Sequence, residues 1–254
     1  MLLAIDIGNT NIGIGLCKGH DIVRRFRLAA DGGRAPDEYG ILFQGLLASA
    51  GYKPRDIKGV IISSVVPVID RTLKYAVADY IGVRAYVVGV DVDAPMRTLT
   101  DNPREVGSDR LVNAVAAYSI HKTALIVVDM GTATTFDYVT EDGVFAGGAI
   151  APGIDVSAET LHTRTARLPA VEISMPERVI GRNTVEAMRS GIYWGYAGLI
   201  DTVIDRMKVE LKANPPVIAT GGLAHLMKDG ARSITEIDQD LTFKGLKITY
   251  DGMR

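Results

Sequence analysis

The chain has 254 residues, 47% of them apolar and 23% charged, with a formal net charge of −2. That balance fits a globular protein of one large or two modest domains, and it carries no basic surplus for nucleic acid or an anionic membrane. Cys17 is the only thiol, which excludes an intramolecular disulfide; with no signal-peptide pattern and no run near the roughly 18 apolar residues of a bilayer span, a cytoplasmic protein is expected.

The opening stretch, LLAIDIGNTNIGIGL, reads as two short strands, 2–7 and 12–17, around a Gly8–Asn9 corner. Residues 22–28 alternate as a third strand. Residues 36–50 are helical: Pro36 suits a first turn, Asp37 and Glu38 favour the N-terminal dipole, and Tyr39, Leu42, Phe43, Leu46 and Leu47 share a face. A buried strand is expected at 60–65, a helix at 67–80 behind Pro67, and a strand at 85–90. Asn102-Pro103 marks a turn, and from Leu111 the pattern is helical. Strands follow within 124–139 and 143–153, helices at 154–163 and 184–212, and a strand at 216–222 that ends in paired glycines.

The chain echoes itself. Set under LAIDIGNTNIGIG, the segment IVVDMGTATTFDY places Asp129 on Asp6 and Gly131 on Gly8, at an offset of 123. Two related β-β-β-α halves are therefore expected, each with an acid and a glycine at the tip of its first strand. The glycine allows a tight turn and close approach of a ligand, and consecutive N–H groups in such a turn form an anion nest. Asn9, Thr10, Thr132, Thr134 and Thr135 could donate to phosphate oxygens, while Asp6 and Asp129 could hold a cation directly or through water. Two facing hairpins would grip a nucleotide triphosphate. The alternative is that Asp6 caps a turn and the glycines only close hairpins. A P-loop and a G-x-G-x-x-G fingerprint are absent.

A third constellation, VGSDR at 106–110, puts Asp109 and Arg110 at a helix start after Gly107. Asp109 could be an N-cap, or it could accept a substrate hydroxyl proton with Arg110 orienting substrate or stabilising transferring charge.

Together DIGNTN (6–11), VGSDR (106–110) and DMGTATT (129–135) resemble the signature set of type III pantothenate kinases, within the sugar kinase, Hsp70 and actin superfamily. The resemblance runs the length of the chain through GGAIAPGI, TARLP, IGRNTVEAMRSGIYWGY, IATGGLA and LTFKGLKITY, the last matching the family's C-terminal helix. It implies an α/β fold of two duplicated ribonuclease-H-like domains, 1–117 and 118–254, with a nucleotide cleft between them. It also implies ATP-dependent phosphorylation of pantothenate, the first committed step toward coenzyme A.

By the same resemblance, Asp6, Ile7, Gly8, Asn9, Thr10, Asn11, Ile12 and Gly13 form the ATP-phosphate hairpin, with Thr132 a second ATP contact and Mg2+ accompanying the nucleotide. Asp109 is the proposed general base. Gly107, Ser108, Asp109 and Arg110 line the pantothenate pocket. Asp129 binds an activating monovalent cation, K+ or NH4+. Thr184 closes the pantothenate site across a homodimer interface. The family usually carries alanine where this chain has Ser108, and often a tyrosine that contacts pantothenate where this chain has Thr100.

Two other functions fit the same outline: a superfamily kinase or phosphatase for another small alcohol, and a non-catalytic nucleotide-binding regulator. The intact acids Asp6, Asp109 and Asp129, and the lack of a helix-turn-helix or basic patch, favour the kinase. His20, His121, His162 and His225 show no metal-ligand spacing, and Cys17 reads as buried filler. Gly191, Gly195 and Gly198 recur at helical spacing, which implies close helix–helix approach within the domain or across a dimer, and Tyr193, Trp194 and Tyr196 read as core or interface.

Overall fold

The computed structural model describes residues 1–19 and 21–253; His20 lies outside the described residues. The chain divides into two units, Met1–Ser119 with Asp240–Arg254, and Ile120–Gln239.

In the first unit, β1 (Leu2–Ile7), β2 (Asn11–Lys18) and β3 (Asp21–Ala29) form an antiparallel meander. Helix α1 (Pro36–Ser49) then leads to β4 (Gly59–Ser64), which pairs parallel with β1, and α2 (Pro67–Tyr80) leads to β5 (Ala85–Val87), parallel to β4. The sheet order is β3-β2-β1-β4-β5. A two-residue strand β6 (Arg97–Thr98) and a 3-10 turn at Pro103–Glu105, capped by Asn102, precede α3 (Ser108–His121).

Alternation along β1 sends Leu3, Ile5 and Ile7 to one face, where they pack with Tyr39 and Phe43 of α1 and Ile69 and Leu73 of α2. Leu2 and Ala4 point the other way, into a cluster with Cys17, Ile61, Val112, Leu246 and Tyr250. Burial raises the Cys17 thiol to about 11, which leaves it inert, in keeping with filler.

The second unit repeats this plan. Strands β7 (Leu125–Met130), β8 (Ala133–Val139) and β9 (Val144–Pro152) make an antiparallel meander. Helices α4 (Ile154–Thr163) and α5 (Thr184–Leu211) lead to β10 (Val217–Thr220), parallel to β7, and α6 (Ala224–Met227) leads to β11 (Glu236–Ile237), parallel to β10. Its strands run β11-β10-β7-β8-β9, the same order as in the first unit. Ile126, Val128 and Met130 face the helices, as Leu3, Ile5 and Ile7 do.

The repeat is therefore a repeat of topology, with one adjustment. Asp6 stands opposite Gly13, seven positions on, whereas Asp129 stands opposite Thr135, six positions on. Gly8 N–H closes its turn on Asn11 O at 2.9 Å, and Gly131 N–H closes on Ala133 O at 3.0 Å. The second turn is one residue shorter, so the offset of 123 holds along the first strands and becomes 122 beyond the turn.

The final helix, α7 (Leu241–Asp251), packs on β1, β2 and β4 of the first unit. This differs from a division at 117/118 that assigns everything after it to one domain. The physical reason is a row of glycines on the first sheet. A Cβ on Gly15 would lie 2.7 Å from the Phe243 ring, and one on Gly59 would run into the Tyr250 hydroxyl and ring, so both aromatic side chains of α7 approach bare strand backbone. Strand β5 is also shorter than the expected 85–90, because the chain turns at Gly89 (φ +81°) while Asp91 accepts the Val87 N–H at 2.9 Å.

No helix among the described residues is long and apolar enough to cross a membrane.

Candidate active site

Open α/β sheets bind ligands beyond the carboxyl ends of their strands. In the first unit that end carries Asp6, the Gly8–Asn11 turn, the tip of β4 and the start of α3. Asp6 is half-buried and sits on the α7 face of β1, in register with Ser63 of β4 and opposite Gly13 of β2. Asn9, Thr10 and Asn11 are exposed at the turn tip, while Ile7 and Ile12 are in the core at 1% and 0% exposure. Of the eight hairpin residues expected to meet a nucleotide, these two isoleucines can offer only backbone. An exposed turn with side-chain amides and a hydroxyl beside a carboxylate fits a polyphosphate with its cation.

Helix α3 starts at Ser108, three residues earlier than the pattern from Leu111 indicates. Asp109 is thus inside the first turn and is not an N-cap. Its Oδ1 accepts the Arg110 N–H at 2.8 Å. The carboxylate folds back over Gly107, where any Cβ would collide with Oδ1, so the glycine makes room for the acid. Burial raises the Asp109 pKa above its ordinary 3.8, opposed by the Arg110 N–H and guanidinium. A carboxyl group tuned upward and placed at a strand-end crevice is suited to general-base work.

Ser108 ties this turn to the sheet. Its Oγ accepts the Ser64 N–H at 3.0 Å, donates to Ser64 O at 3.2 Å and lies 3.1 Å from Ser63 Oγ. Thr100 Oγ1 is buried without a hydrogen-bond partner among the described residues.

In the second unit, Asp129 occupies the position of Asp6, in register with Thr220 of β10 and opposite Thr135 of β8. Gly221 (φ +92°) passes so close that a Cβ there would lie 2.6 Å from Asp129 Oδ1. Thr132 is exposed in the turn, whose carbonyl accepts the Gly153 N–H at 2.9 Å. Two of the hydroxyls expected to face phosphate do not. Thr134 is 2% exposed on the core face with Met130, and Thr135 Oγ1 donates to Asp137 Oδ2 at 3.1 Å. Among the described residues no three His, Cys, Asp or Glu side chains cluster as a metal site, so a cation at Asp6 or Asp129 would be shared with phosphate and backbone oxygens.

Thr184 opens α5 behind the Asn183 cap, whose Oδ1 accepts the Glu186 N–H at 2.9 Å. It lines an open, mostly apolar groove of about 700 Å³ with Leu161, Leu168, Ala187, Met188 and Ile192. Tyr193 and Tyr196 are core residues at 0% and 8% exposure. Sequence reasoning missed Ser63, Ser64 and Asp137, whose signal was only a polar residue at or near the end of an apolar strand.

The fold is that of sugar kinases. A ROK family glucokinase from Streptomyces griseus, solved in complex with glucose and AMPPNP, superposes with a TM-score of 0.58 at 13% identity, covering 99% of each chain. The family is narrower. The model of the type III pantothenate kinases matches residues 2–206, and the proteins of that name from Pelobacter propionicus and Geotalea uraniireducens are 49% and 50% identical over 254 residues, spanning 100% of this chain and 100% and 99% of their own. The chain belongs to the type III pantothenate kinase family.

Proposed function

We propose that the strand-end crevice around Asp6 and Asp109 carries out the family's reaction, ATP-dependent phosphorylation of pantothenate to 4'-phosphopantothenate in coenzyme A biosynthesis. The observation that carries this reading is the Asp109 carboxylate, raised in pKa and folded over Gly107, on a helix turn that Ser108 ties to the tip of the strand running beside Asp6. Asp109 takes the proton of the substrate's primary hydroxyl as its oxygen bonds the γ-phosphorus, and the bridging P–O bond breaks to release ADP. Gly8, Asn9 and Thr10 hold phosphate oxygens. Asp6 would hold Mg2+ directly or through water, and the metal would offset phosphate charge. Gly107 to Arg110 line the pantothenate pocket, and Thr100 stands where the family often carries a tyrosine that contacts pantothenate. A coupled ADP-release assay tests the reading: turnover is expected with pantothenate, and turnover with only another alcohol, or none, overturns it.

Asp129 is the monovalent-cation ligand in this reading, supported by its position equivalent to Asp6 in the second unit. Replacing K+ by tetramethylammonium is expected to lower turnover by about tenfold or more, the scale of one lost charge-assisted contact; equal rates in both salts count against the cation site. A homodimer is supported by Gly191, Gly195 and Gly198. All three are exposed on α5, and a Cβ there would meet nothing within 4 Å, so no helix of the described chain explains them. A dimer would let Thr184 of one copy serve the pocket of the other; a monomeric mass by light scattering at assay concentration removes that role. The cytoplasm is the expected location, given the lone reduced thiol.

A further inference from the structure

Strand β5 stops short of the end of β4. The last β4–β5 pair is Ile62 with Val87, while β4 continues through Ser63 and Ser64 beside β1. On the β5 side the final N–H and C=O of β4 therefore lack a strand partner. The Ser108 hydroxyl supplies both bonds, accepting from Ser64 N–H and donating to Ser64 O. Ser63, 0% exposed, adds its hydroxyl to Ser108 Oγ at 3.1 Å. The Ser64 side chain faces α2, where its Oγ accepts the Val66 N–H at 3.0 Å. One side chain on the first residue of α3 thus completes the sheet, and the next residue is Asp109.

We propose that Ser108 is a positioning residue for phosphoryl transfer: its hydroxyl clamps the first turn of α3 to the tip of β4 and so fixes the Asp109 carboxylate over Gly107. The inference rests on Asp109 acting as the base. An alanine at 108 fills nearly the same space but leaves both backbone groups of Ser64 without a partner. The turn then shifts, and a misplacement of about 1 Å can cost an aligned reaction up to about 10²-fold.

The test compares the native chain with Ser108→Ala, Ser63→Ala, the double variant and Asp109→Asn. Each is measured for kcat, for KM with pantothenate and ATP, and for thermal midpoint. Ser108→Ala is expected to lower kcat about five- to tenfold, with KM for ATP within about twofold of native. Ser63→Ala keeps both Ser64 bonds and should lose about two- to threefold in kcat. The double variant should be no worse than Ser108→Ala, since both hydroxyls act through one oxygen. A merely structural serine would lower the midpoint and leave kcat of the folded enzyme alone. Native kcat in Ser108→Ala, or losses that multiply in the double variant, overturns the clamp. If Ser108→Ala yields no soluble protein, native kcat in Ser63→Ala does the same. Turnover retained by Asp109→Asn overturns the base itself, whereas an inactive Asp109→Asn beside a fully active Ser108→Ala overturns only the clamp.

Discussion

Asp109→Asn is expected to lower kcat for pantothenate by about 10²-fold or more, the usual worth of a positioned base, while ATP binding by calorimetry persists. Asparagine keeps the size of the side chain and an oxygen able to accept the Arg110 N–H, so the loss reports the missing negative charge. The same substitution should leave the protein as stable or more stable at neutral pH. Burial holds the folded-state pKa of Asp109 above the ordinary 3.8, so ionised Asp109 opposes folding. That opposition is absent below the unfolded pKa, grows as pH rises toward the folded one, and is complete above it. In the native enzyme the base must be ionised to work, so log kcat should fall on the acid side through a pKa above 3.8. A native-like rate in Asp109→Asn, or a thermal midpoint that drops with the rate, would show that the carboxylate is a structural element.

The strand and helix plan was legible because each element carries its own period. The expected helices at 67–80 and 154–163 coincide with α2 and α4, since Pro67 and Gly153 mark their starts and the apolar spacing fixes the rest. The duplication was legible in the acids, because an Asp that ends an apolar strand before a glycine is costly unless it is used. What the pattern could not show is register beyond the turn. One fewer residue in the second hairpin turns Thr134 into the core and sets Thr135 opposite Asp129, where its hydroxyl is taken by Asp137. Nor could it show that α7, last in sequence, belongs with the first strands. That depends on Gly13, Gly15 and Gly59 presenting bare backbone to Phe243 and Tyr250, a contact between residues some 190 to 230 positions apart in the sequence. Ser108 illustrates the same limit: its spacing marks a helix start, but its bonds to Ser63 and Ser64 exist only once β5 ends early.

Gly245→Ala should destabilise the protein by about 2 kcal/mol, within the range for overpacking a core, and lower the thermal midpoint by about 4–8 °C. In an open helix the same change favours folding, because glycine costs up to about 1 kcal/mol against alanine. Here the sign reverses. Gly245 is buried in α7, and a Cβ on it would run into the Val112 carbonyl and lie 3.0 Å from Val112 Cβ, both part of α3. The obstacle is helix backbone, which cannot rotate away as a side-chain tip can, so the two helices must separate. Thr242, one turn earlier in α7, donates to Asn113 Oδ1 at 2.8 Å, and that bond stretches as they part. Gly45→Ala is the matched control: it lies in α1, exposed, with nothing within 4 Å of an added Cβ, and should raise the midpoint by about 2 °C. Opposite signs from one chemical change would establish that contact with α3, not helix propensity, requires glycine at 245. Because α3 begins with Ser108 and Asp109, the destabilised variant should also lose kcat at temperatures where it remains folded. Equal midpoints for the two variants would show that α7 can slide on α3 without cost, leaving the Asp109 turn held by the β4 tip alone.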